Sequence, residues 1–369
     1  MRTFGLIGIV FWMALVGLFS TQYQTLRTET VCGKSELRCK PAFAFIVFLP
    51  IILWAGFRSG AGYADTNAYI KMYQSMPITM EGIRRYLSIH PDDQGFTILL
   101  FVIKRLFGNS YTPFLFIVAF IEGVAVVAFY RKHSTHYLVS IFLFIASSEY
   151  FSWMFNGLRQ FLAVSIVMLA FPLLLEKKYV KYFFCVALAY TMHATAIIMI
   201  PIALVSIGKP WNGRTIFMIA VSVFALVMTN QFTDILSSAT QDTQYGDIVN
   251  SWGESGDDGS NPIRVIVYMI PTILALLGKE KLEKQGNPVL NISVNMSIFS
   301  SVLWLISMVT SGIYMGRLPI YASVFNYILL PYEIDLLFDK KSRRTVYTLL
   351  VVLYLLLYYY QIHNTWQLI

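Results

Sequence analysis

At 369 residues, the chain is 57% hydrophobic and only 13% charged. Its apolar runs of about 16 to 25 residues, separated by short basic loops, are the pattern of an all-α polytopic membrane protein. The formal charge of +8, from 28 Lys+Arg against 20 Asp+Glu, does not mark a nucleic-acid binder, because the basic residues cluster between the apolar runs and so report orientation.

The opening run "MRTFGLIGIVFWMALVGLFS" lacks a clean small-residue cleavage site after it and reads as a retained first helix. Spans are expected near 4–20, 42–57, 112–130, 137–153, 160–175, 215–232, 263–278, 288–310, 319–338 and 345–361. That is about ten full transmembrane helices plus one short broken pair, in a single transmembrane domain covering 1–369. Basic segments 21–41, 131–136, 176–181, 208–214, 278–287 and 339–344 are placed in the cytoplasm, which puts both termini outside, with Arg2 as mild evidence against. Cys32 and Cys39 fall in the first of these segments and are expected reduced, and three cysteines make no disulfide framework.

Residues 58–111 form an outer loop whose stretch "GFTILLFVIKRLFG" (95–108) is too short to span and carries Lys104 and Arg105, so it is expected as an interfacial helix. Segment 179–209 is basic at both ends and holds Thr191, His193 and Thr195 in its middle. Each apolar half offers roughly 12 residues, about 18 Å of helix. A broken helix pair meeting near His193 is expected, with a single kinked span as the alternative. Residues 233–262, with Asp234, Asp242, Asp247, Glu254, Asp257 and Asp258, read as a flexible acidic outer loop. No internal repeat matches the interruption at His193, which weighs against a secondary transporter.

Arg159, in "FNGLRQFLAV", follows the turn Asn156-Gly157 and opens an apolar helix. A helix N-terminus attracts anions, and a guanidinium there adds a bidentate phosphate fork; the competing reading is an arginine snorkelling to lipid headgroups. Arg317 in "SGIYMGRLPIY" repeats the arrangement, and Arg58 in "GFRSGAGYADTNAYIKMY" stands at another outer helix end. Together the three suggest a site for a polyanion such as pyrophosphate. Asp65 is either a helix cap or a carboxylate able to take a proton from a sugar hydroxyl. Tyr63, Asn67 and Tyr69 around it, and Asn156 and Gln160 beside Arg159, are candidate substrate contacts. His193, an ionisable residue at membrane depth, can orient phosphate, donate a hydrogen bond or accept a proton, or merely satisfy loosened carbonyls. There is no Walker loop, zinc-ligand spacing or Gly-x-Ser-x-Gly elbow, and no cofactor or metal is expected. Glu333-Ile334-Asp335 lies near a cytoplasmic helix end, while Asp92-Asp93 and Asp257-Asp258 read as solvated loop acids.

The order "FRSGAGYADTNAYIKMY", "DDQGFTILLFVIKRLFGNS", "FNGLRQFLAVSIVMLA", "YTMHATAIIMIPIAL" and "GRLPIYASVF" resembles the EpsG family of Wzy-like bacterial polysaccharide polymerases, over about residues 50 to 330. Two positions depart from the pattern: Gly62-Tyr63-Ala64-Asp65 stands where Gly-x-Asp is common, and Asp93-Gln94-Gly95-Phe96 where a Glu often precedes Gly-Phe. Both bear on which acid is catalytic and leave Arg159 and His193 untouched.

The resemblance implies a glycosyltransferase of the bacterial cytoplasmic (inner) membrane, compatible with a GT-C-like architecture, whose active site faces the periplasm or exterior. It would join polyprenyl-pyrophosphate-linked oligosaccharide repeat units into exopolysaccharide, O-antigen or capsule and release undecaprenyl pyrophosphate. Implied partners are the lipid-linked donor and acceptor, membrane lipid, a flippase and chain-length regulator proteins, and no nucleic acid. The rival readings are a single-addition polyprenyl-phosphate-dependent glycosyltransferase or a glycan ligase, a lipid-linked oligosaccharide flippase or transporter, and, more remotely, a membrane acyltransferase.

Overall fold

Asparagine and proline open several of the apolar helices. Asn212 accepts from the N–H groups of Arg214 and Thr215 at the start of helix Gly213–Val227. Asn261 and Asn287 do the same ahead of Pro262–Leu277 and Pro288–Val309, each with proline at the first helical position, where a missing N–H costs nothing. The structure, a computed structural model, describes residues 8–9, 11–17, 26–31, 34–60, 65–228, 231, 234–235, 237–238, 259–361 and 363. It is 82% helical. Cys32, Tyr63 and most of the acidic loop at 233–262 lie outside the described residues.

Three helices are long and apolar enough to cross a membrane: Tyr111–His133, Leu158–Leu175 and Pro288–Val309. Pro262–Leu277 with Lys279–Gln285, bent by 76°, adds a fourth if the pair is one span. These features fit a polytopic membrane protein, but helix length among the described residues does not carry the count of about ten. Pro41–Gly56, Tyr137–Ala146, Tyr179–Met192 and Gly213–Val227 are apolar but shorter than the roughly 20 residues a bilayer core requires. The run expected at 137–153 is split into Tyr137–Ala146 and Glu149–Asn156, with Ser148 at φ 53° between them. The run at 319–338 starts as the four-residue helix Ile320–Ser323 before Asn326–Leu337. Breaks of this kind are tolerated where neighbouring protein satisfies the freed backbone.

The first basic segment contains a strand pair that its charge does not announce. Within the first basic segment, Leu26–Val31 and Lys34–Cys39 pair as antiparallel strands, with Thr28 opposite Leu37 and Leu26 opposite Cys39. Their threonines and alternating side chains suit a pleat, a period that the density of charge concealed.

The chain packs as two compact units, 1–197 with 344–369, and 198–343. In the first, helix Tyr111–His133 runs against Pro41–Gly56 and Leu158–Leu175. The segment expected as an outer loop holds three helices, Thr66–Ser75, Met80–Ile89 and Gln94–Phe107. Helix Gln94–Phe107 buries Phe96, Leu100 and Ile103 and leaves Ile98, Val102 and Leu106 exposed, so the expected interfacial stretch is amphipathic and has apolar groups on its outward face. Buried Lys104 donates to the carbonyls of Gln74 and Met76, 2.6 Å from each, closing the C-terminal end of the preceding Thr66–Ser75 helix with a cation.

In the second unit, helix Pro288–Val309 is central and packs on Pro262–Leu277, Gly213–Val227 and Asn326–Leu337. Its small polar residues serve as interhelical glue: Thr272 bonds Ser297 and Ser301 at 2.7 Å, and Ser300 meets Ser323 at 2.5 Å. The acid pair at 333 and 335 is divided, with Glu333 fully buried and Asp335 Oδ1 3.6 Å from Arg343 Nε.

Candidate active site

Asp93 draws together three stretches that are far apart in sequence. Its Oδ2 accepts from Arg159 Nη1 at 2.7 Å and lies 3.2 Å from His193 Nδ1, while its Oδ1 accepts from the Ala194 N–H at 3.1 Å. The Asp93 side chain is only 7% exposed, whereas those of Arg159 and His193 are 38% and 25% exposed. A buried acid therefore holds an accessible cation and an accessible imidazole on the same oxygen. Arg159 also lies 5.9 Å from the Tyr69 ring centre, and Tyr69 packs edge-on against Phe96. Burial pushes the Tyr69 phenol above its usual range, and the neighbouring guanidinium partly opposes the shift.

The local sequence explains the convergence. At Gly157, which separates helices Glu149–Asn156 and Leu158–Leu175, a Cβ would overlap the Trp153 ring, so only glycine lets the chain turn tightly enough to start a new helix with Arg159 in its first turn. At Gly95 a Cβ would overlap Thr191 Oγ1, so glycine permits helix Gln94–Phe107 to touch the end of Tyr179–Met192 and brings Asp93 to His193. Asp93 sits at the N-cap in the left-handed region, φ 50°, and makes no side-chain cap bond to its own helix. Its carboxylate is spent across the gap instead. His193 ends helix Tyr179–Met192 in an extended conformation, and the 3-10 turn Ala194–Ile198 that follows supplies the Ala194 N–H.

The other expected residues fall in different places. Arg58 is turned inward and only 4% exposed. Its Nε donates to Thr66 Oγ1 at 3.0 Å, Nη2 to the Phe155 carbonyl at 3.3 Å and Nη1 to the Ala55 carbonyl. Thr66 Oγ1 reaches the same Phe155 carbonyl at 2.9 Å. Arg58 thus braces the turn that presents Arg159. Gln160 is also buried, and its Nε2 donates to Thr195 Oγ1 at 3.4 Å, tying the arginine helix to the segment after His193. Asn156 keeps Oδ1 buried with no hydrogen-bond partner among the described residues, as does Arg159 Nε. Asp65 is exposed at the N-cap of Thr66–Ser75 and makes no capping bond, and Asn67 is exposed on the first turn. Arg317 is exposed in the 3-10 turn Met315–Arg317 of the second unit.

The family resemblance marks Asp93, ahead of Gly95-Phe96, as bearing on which acid is catalytic, whereas its loop composition does not. The sequence paired it with Asp92 as a solvated loop acid, and Asp92 is indeed exposed. What distinguished Asp93 was its place directly ahead of an amphipathic helix, with a glycine two residues on.

The model of the EpsG family matches residues 42–367, nearly the whole described chain. The chain belongs to the EpsG family. Membership makes this EpsG protein a polysaccharide-polymerase-like membrane protein associated with glycosyltransferase-like activity and polysaccharide biosynthesis. Comparison with curated proteins and with solved structures gives no match. The matched range takes in Asp93, Arg159, His193 and Arg317 alike.

Proposed function

We propose that this EpsG protein polymerises polyprenyl-pyrophosphate-linked oligosaccharide repeat units at the outer face of the cytoplasmic membrane. The observation that carries the reading is Asp93 gripping Arg159 and His193 together, in a chain whose family points to polysaccharide synthesis. In the reaction, a hydroxyl oxygen of the acceptor repeat unit attacks the anomeric carbon of the donor glycan. The carbon–oxygen bond to pyrophosphate breaks, and the leaving group departs with the electron pair as polyprenyl pyrophosphate. The hydroxyl proton passes to His193, acting as general base. Arg159 meets the charge that grows on the leaving pyrophosphate, where one unit-charge contact at about 4 Å is worth roughly 4 kcal/mol at an effective dielectric of 20 before desolvation is subtracted.

Arg159 suits this role because Asp93 occupies only Nη1 and more than a third of the side chain stays accessible. Tyr69, Asn67 and Asn156 remain the candidates for sugar contacts. Arg317 carries the same expectation of pyrophosphate binding as Arg159 and is tested by substitution in the same assay.

Purified protein incubated with a lipid-linked repeat unit should give a ladder of products on a gel. A single added unit would instead make the protein a one-step transferase or ligase. Transfer between leaflets without a new bond would make it a flippase. Sidedness is read by impermeant thiol labelling of single-cysteine variants in intact cells, with position 65 expected to label and position 284 not.

A further inference from the structure

We propose that Asp93 is a positioning residue that fixes His193 in the tautomer bearing hydrogen on Nδ1, so that Nε2 carries the lone pair presented to the acceptor hydroxyl, and that the same carboxylate restrains Arg159. The inference rests on the polymerase reading and deepens it by naming the atom that receives the proton.

A carboxylate accepts hydrogen bonds and donates none, so the nitrogen facing it must be the one that carries hydrogen. His193 Nδ1 faces Asp93 Oδ2 at 3.2 Å, which assigns the hydrogen to Nδ1 and leaves Nε2 as the basic nitrogen. The carboxylate itself has little freedom to turn. Arg159 Nη1 binds Oδ2 at 2.7 Å and the Ala194 N–H binds Oδ1 at 3.1 Å, so both oxygens are fixed from different directions. Ala194 is the residue after His193, and its N–H ties the backbone beside the imidazole to the acid that orients the ring. The backbone around Asp93 is arranged for this contact and not for capping: the residue is left-handed, its side chain ignores its own helix, and Gly95 removes the Cβ that would hold Thr191 away. One acid thereby sets the separation of the group proposed to take the proton and the group proposed to meet the pyrophosphate. Donor and acceptor ends of the reaction are kept in register.

The test uses the full chain labelled with 15N-histidine in lipid nanodiscs. The His193 signals among the five histidines are assigned by their loss in His193→Gln. Wild-type His193, when neutral, should show a protonated Nδ1 and an unprotonated Nε2. In Asp93→Asn the amide can offer a hydrogen to Nδ1, which moves the ring hydrogen to Nε2. Turnover should then fall by about 10²–10⁴-fold, with KM changed far less than kcat, as expected when a base is present in the wrong tautomer. Asp93→Glu keeps an acceptor-only carboxylate and should retain the wild-type tautomer with part of the activity.

A wild-type His193 carrying its hydrogen on Nε2 overturns the proposal, whether or not any variant folds. So does a folded Asp93→Asn protein with turnover within a few fold of wild type. The polymerase reading fails separately: if no ladder forms while the tautomer responds to Asp93→Asn as described, the positioning role stands and the reaction is a different one.

Discussion

Two arginines at outer helix ends look alike in the sequence, and the structure gives them opposite surroundings. Arg58 is almost wholly buried and donates to the carbonyls of Ala55 and Phe155 and to Thr66, neutral groups of its own protein. Arg159 shares one carboxylate with a histidine and keeps more than a third of its side chain accessible. The two are linked through the Phe155 carbonyl, three residues before Leu158. A guanidinium buried among acceptors of its own chain holds chain segments together, whereas one tied to an acid through a single nitrogen and left partly open can still bind an anion. Position at a helix end, which the sequence does supply, does not separate the two cases.

The largest effect expected is at Arg159. Arg159→Ala should lower polymer formation by about 10²–10³-fold, the range for removing one donor aimed at developing negative charge. Arg159→Lys should fail nearly as badly, because lysine keeps the charge but loses the planar fork that spans Asp93 and a phosphate oxygen together. Ladder formation at equal protein level measures both, and full activity of the lysine variant would reduce Arg159 to a lipid anchor. Gly95→Ala comes next. The added methyl must push helix Gln94–Phe107 off Thr191 and carry Asp93 away from His193, so a loss of up to about 10² in turnover is expected, as for other sub-ångström misplacements of a reacting group. Wild-type rates in that variant would show that the close approach is not needed.

Arg58→Ala should act on folding instead. Losing a buried charged donor should lower stability by about 1.5–3 kcal/mol, read as a drop in thermal midpoint, while the surviving folded protein keeps its KM. A large change in donor KM with stability intact would return Arg58 to the phosphate site and erase the contrast with Arg159.

The helical class was legible, and Arg159 and His193 could be singled out, because both depend on local quantities: the length of an apolar run, the charge of a loop, an ionisable group in apolar surroundings. The break at His193 was signalled by two basic ends too far apart for one short helix and too close for two full spans. The strand pair at 26–39 was hidden because charge density outweighed a weak period of two. Asp93 was half legible: the family resemblance marked its place before Gly95-Phe96, but its partners were hidden. Its role depends on Thr191 lying against Gly95, a contact 96 residues away in the chain that no local pattern encodes. The inward turn of Arg58 likewise depends on the carbonyl of Phe155, nearly a hundred residues distant.

The smallest effect is expected at Asp65, which the sequence offers as either a helix cap or a general base. A general base contributes about 10²–10⁴-fold, and its amide replacement cannot take a proton. Asp65, however, is exposed at the N-cap of Thr66–Ser75, and it makes no side-chain cap bond that an amide would have to replace. Asp93, by contrast, lies inside the protein against both Arg159 and His193. If the proton goes to His193, Asp65→Asn should leave turnover within about threefold of wild type, the size of change that ordinary surface substitutions of up to roughly 0.5 kcal/mol produce. The comparison with Asp93→Asn at equal protein level isolates which outer acid the reaction needs. A hundredfold loss in Asp65→Asn, with product length falling and stability unchanged, would move the proton to Asp65 and leave His193 as a phosphate contact.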